Sequence, residues 1–329
     1  MARRRPKRGI VLGGGGMLGA AWMVGALCAL EEVHGFNPCK ADVIVGTSAG
    51  SVLASLLAAG VTPTQLRDHQ FGHPITSGPL AGYSWDYERA TGGGRPRIPR
   101  LVPSSARGLA SSARRMRQLP PTAVLAGFLP EGRGSLERIA HLVDAITPMD
   151  EWSPHPNLWI VTMDLDEGKR VAFGKPGSPV APLSLAVTAS CAIPSWFQPV
   201  EIGGHKYVDG GTCSATSVDL LAEMGLDEVY VLAPMASFAL DRPTNMLARL
   251  ERRWRVQIAR RALHESEKVR EHGATVVVLG PGPEDLEMMG GNLMDVGRRL
   301  PVLETSMRTS LEALRDPDRV GPDHLADVV

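Results

Sequence analysis

A serine with glycines two residues to either side stands where an apolar strand-like run gives way to a helical one. Residues 46–50 read Gly-Thr-Ser-Ala-Gly, so Gly46 and Gly50 flank Ser48 at the spacing of a nucleophile elbow. The preceding residues, 43–45, are Val-Ile-Val, and those that follow have a helical composition. A strand, a tight turn and a helix in this order are typical of the nucleophile of a serine hydrolase, although the five residues alone also fit an ordinary turn.

A run of four glycines at residues 13–16 follows the first apolar stretch of the chain. Glycines that open a helix expose backbone N–H groups with no side chain in the way, and the helix dipole adds positive potential there. Beside a nucleophilic serine, the N–H groups of Gly14, Gly15 and Gly16 would form an oxyanion hole for the tetrahedral intermediate of acyl transfer. This interpretation accounts for the glycine run and the serine motif with one site.

The same glycines also fit a second class of site. Gly14, Gly16 and Gly19 have the spacing of a dinucleotide-binding loop. Such a loop needs an acidic residue for the ribose, and the candidates are Glu31, Glu32 and Asp42. A nucleotide-binding protein therefore stays open as an alternative from another functional class.

A serine hydroxyl needs a base before it can act as a nucleophile. The histidines that follow Ser48 have no sequence context that favours catalysis; His205 falls in a predicted hairpin turn and His264 in a charged helix. Asp209 ends a predicted strand and is followed by Gly210 and Gly211. Because Asp-Gly is also a frequent turn pair, the residues alone do not decide which group is the base.

Three motifs in this order resemble the patatin-like phospholipase family: the glycine loop at residues 14–19, the serine motif at residues 46–50, and Asp209 with its two glycines. Residues 188–200, Thr-Ala-Ser-Cys-Ala-Ile-Pro-Ser-Trp-Phe-Gln-Pro-Val, also resemble the block that precedes the family's aspartate. The resemblance covers about residues 9–220. It implies an α/β fold, a three-layer α/β/α sandwich with a mainly parallel central sheet.

The resemblance also implies a mechanism. Ser48 and Asp209 would form a dyad without histidine, in which Asp209 first takes the serine proton and later activates water to release the fatty acid. The substrates would be lipid carboxylic esters (phospholipids, lysophospholipids or neutral lipids), with no cofactor and no metal. A carboxylate needs a partly desolvated setting to act as such a base. The glycines that shape the motifs would be Gly19, Gly46, Gly50, Gly210 and Gly211.

One position departs from the family pattern. The family usually has arginine or lysine just before the last glycine of the first motif, and this chain has Leu18 there. If that cation helps to arrange the oxyanion loop, the loop would differ here. A catalytically weak, lipid-binding or regulatory protein of the same fold is therefore a further alternative.

Composition and organisation agree with an α/β protein. The chain has 329 residues, 43% of them hydrophobic, and its 35 basic and 35 acidic residues balance, so charge gives no case for a nucleic-acid partner. We expect a basic tail at residues 1–8 and a catalytic domain at 9–280 with an insertion or lid at about 71–134. A helical extension at 281–329 is expected to pack on the same domain. The oligomeric state stays open.

Membrane contact is predicted as peripheral at most. The uncharged run at residues 10–30 imitates a membrane span, but its glycines would interrupt a spanning helix, so a buried strand, turn and helix explain it better. The segment at residues 71–134 combines apolar residues with arginines, eight of them at residues 89–117, and it either caps an acyl groove and attracts anionic headgroups or forms a solvated loop. The basic N-terminus either contacts a membrane surface in the same way or is a disordered tail. Four cysteines without a CxxC spacing favour reduced thiols and a cytoplasmic location.

Overall fold

The computed structural model describes residues 4–87, 132, 134–238 and 246–316. Its strands are β1 (Arg8–Leu12), β2 (Val43–Thr47), β3 (Leu158–Asp164), β4 (Lys169–Phe173), β5 (Val200–Ile202), β6 (His205–Asp209), β7 (Glu228–Leu232) and β8 (Thr275–Leu279). Its helices are α1 (Gly16–His34), α2 (Ala49–Ala58), α3 (Pro63–Gln70), α4 (Glu137–Asp144), α5 (Leu183–Ser190), α6 (Met246–Glu271), α7 (Pro283–Met289) and α8 (Arg299–Arg315).

The eight strands form one sheet in the order β5-β6-β3-β2-β1-β7-β8, with β4 paired to β3. The pairs β1–β2, β1–β7, β2–β3 and β7–β8 are parallel, whereas β4, β5 and β6 pair antiparallel to their neighbours. Because five strands run the same way, their carboxyl ends meet at one edge of the sheet, which we call the carboxyl edge, and their starts meet at the amino edge. The prediction of a mainly parallel sheet is confirmed.

Helices cover both faces of this sheet. Side chains alternate along β1, so Ile10 and Leu12 enter the larger apolar cluster while Val11 enters a second cluster on the opposite face. The larger cluster includes residues of α1, α2, α5 and α8, and the second includes Val269 of α6. The three-layer α/β/α arrangement predicted from the family resemblance follows from these two cores.

Within the described residues, α1 is the one helix that is long and apolar enough to cross a membrane by length and composition. Most of it is buried inside the protein. Ser306 of α8 donates a hydrogen bond to the carbonyl of Trp22 at 2.6 Å, and a Cβ atom on Gly25 would lie 2.8 Å from the backbone N of Met307. Such close helix packing is typical of a helix in a protein core. The helix α1 is therefore the buried helix that the sequence predicts after the glycine turn.

The predicted elements match most of the observed ones within a few residues. The predicted charged helix at 249–272 is α6, and α7 and α8 occur in the predicted helical extension. Most of the predicted lid, residues 88–131 and 133, lies outside the described residues, so that assignment and the domain boundaries stay predictions. Arg8, the last residue of the predicted tail, already belongs to β1. The four cysteines are free thiols.

Candidate active site

Ser48 lies in a strained turn at the carboxyl edge, between β2 and α2. Its φ of 53° and ψ of −125° are unusual for a residue with a side chain, as expected for a nucleophile elbow. A Cβ atom on Gly50 would overlap the carbonyl of Leu12, and one on Gly46 would lie 2.6 Å from Gly50 O. Glycine is required at both positions because the strand and the helix approach each other so closely.

A hydrogen-bond bridge fixes this turn to the rest of the fold. The Ser48 N–H donates to Ser190 Oγ at 2.8 Å, and the Ser190 hydroxyl donates to the carbonyl of Val161 at 2.7 Å. The Ser51 hydroxyl donates to the carbonyl of Ser48 at 2.6 Å. Ser190 therefore holds the elbow against β3. Ser190 belongs to the 188–200 block that resembles the family, but the sequence predicts no role for it.

Strand pairing brings Asp209 beside Ser48. The last paired residue of β2, Thr47, lies opposite Val161 of β3, and Asp209 at the end of β6 lies opposite the next residue, Thr162. Because β4 pairs along residues 160–164 of β3, β2 and β6 share the other edge of β3 end to end. Their carboxyl ends therefore meet, with Ser48 and Asp209 at the junction.

Asp209 is a buried carboxylate, with only 6% of its surface exposed. The N–H of Gly211 donates to its Oδ1 at 2.7 Å, and the Ser48 side chain lies close enough to stabilise its ionised form. Burial raises the pKa of Asp209 to about 6, against the lowering effect of Ser48 and Gly211. A carboxylate with this pKa is suited to accept a proton near neutral pH. A Cβ atom on Gly210 would overlap Val161 O, so glycine is required there.

The glycine loop runs directly past Ser48, since a Cβ atom on Gly14 would lie 3.4 Å from Ser48 Cβ. The N–H of Gly14 already donates to the carbonyl of Ala215 at 2.9 Å. Among the residues that the structure describes, no protein acceptor bonds to the N–H of Gly15 or Gly16. These two amides are thus the available donors of the three glycines predicted for an oxyanion hole.

Residues outside the sequence motifs hold this loop in place. Gly16 has a φ of 61°, and a Cβ atom there would lie 2.9 Å from Met294 Sδ. The N–H of Leu18 donates to the carbonyl of Leu293 at 3.0 Å, and its side chain is fully buried in the apolar core. On the other side, Pro234 fills the space beside Gly15 and Gly19. Leu18 is therefore a core residue in this chain, in a loop supported by packing.

The two histidines considered as possible bases, His205 and His264, lie in other surroundings. His205 bonds through Nδ1 to Asp164 Oδ2 at 2.9 Å, and His264 is exposed on α6. In the described part of the chain, no histidine hydrogen-bonds to Ser48 or Asp209. The geometry therefore gives no support to a Ser-His pair.

The acidic residues considered for a dinucleotide site lie far from the glycine loop. Asp42 precedes β2 at the amino edge, where it accepts hydrogen bonds from the side chain of Arg5 and the backbone of Arg8. Glu31 and Glu32 lie near the far end of α1, about 22 Å along the helix axis from Gly16. None of these three carboxylates can therefore serve as the ribose-binding residue that the nucleotide alternative requires.

An apolar cleft with a volume of about 130 Å³ opens at Ser48. Val52 and Leu56, four and eight residues beyond Ser48, line it along one face of α2. His69 and Gln70 are among its few polar groups. The wall across the cleft is built mainly from Ile75, Leu80, Tyr83, Trp85, Tyr87, Leu136, Ile139 and Leu142. A long hydrocarbon chain fits this lining better than a sugar or a nucleotide does.

The fold and this site define an α/β protein with a serine elbow at the carboxyl edge of its sheet. The family model for the patatin-like phospholipase matches residues 10–222, and the chain belongs to this family of lipid acyl hydrolases. Among solved structures, the chain is similar to VipD from Legionella pneumophila at 14% identity and a TM-score of 0.44, covering 94% of this chain and 67% of that one. No curated protein matches this chain.

Proposed function

We propose that this protein is a serine hydrolase of lipid carboxylic esters that uses Ser48 and Asp209 as a dyad. The observation that carries this proposal is Ser48 in its strained turn, next to a buried carboxylate and lining an apolar cleft. The hydroxyl has a proton acceptor on one side and room for an acyl chain on the other. Membership of the family supports the same class of reaction.

In the first half-reaction, the Ser48 oxygen attacks the ester carbonyl carbon while the Asp209 carboxylate takes the serine proton. The N–H groups of Gly15 and Gly16 stabilise the oxyanion that forms. The C–O bond to the alcohol then breaks, and the alcohol leaves with the proton held by Asp209. Ser48 is left as an acyl ester.

In the second half-reaction, water attacks the acyl carbon and gives one proton to Asp209. Collapse of this second tetrahedral intermediate breaks the bond to Ser48, which recovers its proton, and the fatty acid leaves. The raised pKa of Asp209, about 6, makes it a stronger base than an exposed aspartate while it stays ionised at neutral pH. No metal or cofactor is needed for this sequence of steps.

A fluorophosphonate probe and soluble p-nitrophenyl esters test the nucleophile. Ser48→Ala should abolish labelling and lower kcat/KM by roughly 10⁴-fold or more, because the attacking atom is gone. Ser237→Ala is the matched control, since Ser237 is also buried and its hydroxyl has no partner within the described structure. Equal labelling of wild type and Ser48→Ala would overturn the assignment of the nucleophile.

Asp209→Asn tests the base, because it keeps the shape of the side chain and removes its charge. We expect it to lose turnover by a factor of about 100 to 10,000, the range that a general base contributes. His205→Ala and His264→Ala should retain activity. Full turnover in Asp209→Asn together with loss in either histidine variant would replace the dyad with a conventional triad.

The cleft predicts a preference for long acyl chains. Leu56 lines the cleft two helical turns beyond Ser48, so Leu56→Trp should obstruct a long chain and leave a short one unaffected. Hydrolysis of p-nitrophenyl esters of increasing chain length measures this preference. A uniform loss over all chain lengths would mean that the acyl chain does not occupy this cleft. Vesicle binding without any labelling of Ser48 would instead favour a non-catalytic lipid-binding protein.

A further inference from the structure

The first turns of α6 carry a stripe of exposed apolar side chains. Met246, Leu250 and Trp254 are 82%, 66% and 49% exposed. They are spaced four residues apart, so they lie on the same face of the helix. Sequence reasoning described α6 as a charged helix with sparse apolar residues and gave this stripe no role.

The stripe lies beyond the carboxyl edge of the sheet. Arg255 is almost fully buried, and its Nη1 donates to the carbonyl of Pro234 at 2.9 Å. Pro234 follows β7 and packs against Gly15 of the glycine loop, so Arg255 marks the level of that edge. The 26 residues of α6 span about 39 Å, whereas β8, which follows α6, spans only about 17 Å. The turns before Arg255 therefore project past the edge that carries Ser48.

Positive charge accompanies this stripe. Residues 246–261 include six arginines and a single glutamate, of which Arg252 and the buried Arg255 pair with Glu251 and Arg261 pairs with Glu265. Arg253 and Arg260 are exposed, and Arg253 lies next to Trp254. A helix that combines an apolar stripe containing tryptophan and leucine with exposed arginines is typical of segments that lie in the headgroup region of a bilayer.

We infer that the first turns of α6, residues 246–254, dock this protein on an anionic lipid surface. Met246, Leu250 and Trp254 enter the boundary between headgroups and acyl chains, while the exposed Arg253 contacts lipid phosphates. This contact turns the carboxyl edge of the sheet, and with it the opening at Ser48, toward the membrane. The inference concerns attachment alone and does not depend on the proposed hydrolysis.

Charge argues against the other partners for this surface. A second copy of the chain would bring the exposed Arg253 and Arg260 of two helices together and repel itself. Residues 89–117 of the same chain contain eight arginines and no acidic residue after Arg89, so they would also be repelled. An anionic bilayer complements both the apolar stripe and the arginines.

Vesicle co-sedimentation tests the inference, in a Ser48→Ala background so that hydrolysis does not alter the lipids. The vesicles are phosphatidylcholine with about one third phosphatidylglycerol, compared with pure phosphatidylcholine and with raised salt. Leu250→Ser with Trp254→Ser should weaken binding to the anionic vesicles by roughly tenfold to a hundredfold. Met149→Ser with Val180→Ser, which also removes two exposed apolar side chains, should bind like the parent.

Two further readouts separate docking from misfolding. On an active background, Leu250→Ser with Trp254→Ser should keep the parent kcat/KM on a soluble short-chain ester. Brominated lipids should quench the tryptophan fluorescence of the parent protein. They should quench that of the Trp254→Phe variant less. Unchanged vesicle binding in the stripe variant, or a loss of dimer mass in solution upon its substitution, would overturn the inference.

Discussion

The two edges of the central sheet make opposite contributions to the stability of the fold. At the amino edge, Arg4 pairs with Asp227 and Arg8 pairs with Glu228 at 3.0 and 2.7 Å. The backbone N–H of Arg8 also donates to Asp42 at 2.7 Å. Charges at this edge are matched and partly open to solvent, and the backbone there is unstrained in β1.

The carboxyl edge instead holds a strained serine, close glycine contacts and a buried carboxylate. These features cost stability, and the packing around them compensates for that cost. A region can tolerate such strain only where its neighbours fix it, as Ser190 and Pro234 do here. The comparison indicates that the same sheet is optimised for stability at one edge and for chemistry at the other.

The largest expected difference between the edges concerns glycine. Gly50→Ala should lower the free energy of unfolding by more than about 4 kcal/mol, or prevent folding, because its Cβ would overlap the backbone of Leu12. Gly35→Ala, at the other end of α1, should cost only about 1–2 kcal/mol, since its φ is 57° but no atom lies within 4 Å of the added Cβ. Soluble yield and thermal unfolding by circular dichroism measure both. Equal costs would contradict the close packing inferred at the elbow.

The next effect is a pH dependence that only the carboxyl edge should show. In the proposed dyad Asp209 must be ionised to accept the serine proton, and burial raises its pKa to about 6. We therefore expect kcat/KM for a soluble ester to be flat above this pH and to fall about tenfold per unit below it. A profile that stays flat down to pH 4.5 would mean that another group acts as the base.

Asp209 should also make the free energy of unfolding depend on pH. This dependence is opposite to that of the activity, which rises with pH. Because the folded pKa of Asp209 is raised from 3.8 to about 6, the folded state binds more protons between these values, and this contribution to stability falls as pH rises through them. Asp209→Asn does not titrate. Its unfolding free energy relative to wild type should therefore increase from pH 4 to pH 6 and be constant above. A difference that does not vary with pH would contradict the raised pKa.

A smaller loss is expected from Ser190→Ala, which removes the bridge between Ser48 and Val161. The buried N–H of Ser48 would lose its acceptor, at a cost of about 1–3 kcal/mol in unfolding free energy. We expect kcat to fall by roughly tenfold with little change in KM, since the elbow shifts and the acyl cleft does not. Ser178→Ala, whose hydroxyl bonds to Ala172 away from the site, is the control. A change in KM alone would argue against a positioning role.

The smallest effect should come from the amino edge. Arg8→Gln breaks a partly exposed ion pair with Glu228, which is worth no more than about 1 kcal/mol. Thermal unfolding should show this small loss, and it should shrink at high salt. The activity should be unchanged, because the pair lies at the opposite edge from Ser48. A clear loss of kcat/KM would show that the two edges are coupled.

Much of the carboxyl edge could be predicted from sequence because its constraints are local. The turn at Ser48 needs its two glycines within a few residues, and Asp209 follows a strand directly. The role of Ser190 could not be predicted in this way, since it joins groups from β2 and β3 that are distant along the chain. The burial of Leu18 depends in the same way on packing among segments far apart in the sequence.

The apolar stripe was missed for a different reason. The charged composition of α6 dominates its sequence, and the predicted helix began at residue 249, after Met246. The stripe is recognised only once Leu250 and Trp254 are seen to lie outside the core. The sequence leaves membrane contact open for the segment at residues 71–134 and for the basic N-terminus, where Arg4 and Arg8 pair with acidic residues at the amino edge.

The end-to-end meeting of β2 and β6 on β3 has a consequence for how such a protein can diverge. Both strands take their register from the same short stretch of β3, so the separation of Ser48 and Asp209 is set by main-chain pairing. Loops elsewhere can lengthen, shorten or change composition, and so alter substrate choice, without moving the two groups apart. A register slip of one residue in β6, however, would shift Asp209 by about 3.4 Å and turn it to the other face. Insertions should therefore be tolerated in the loops and excluded from this junction.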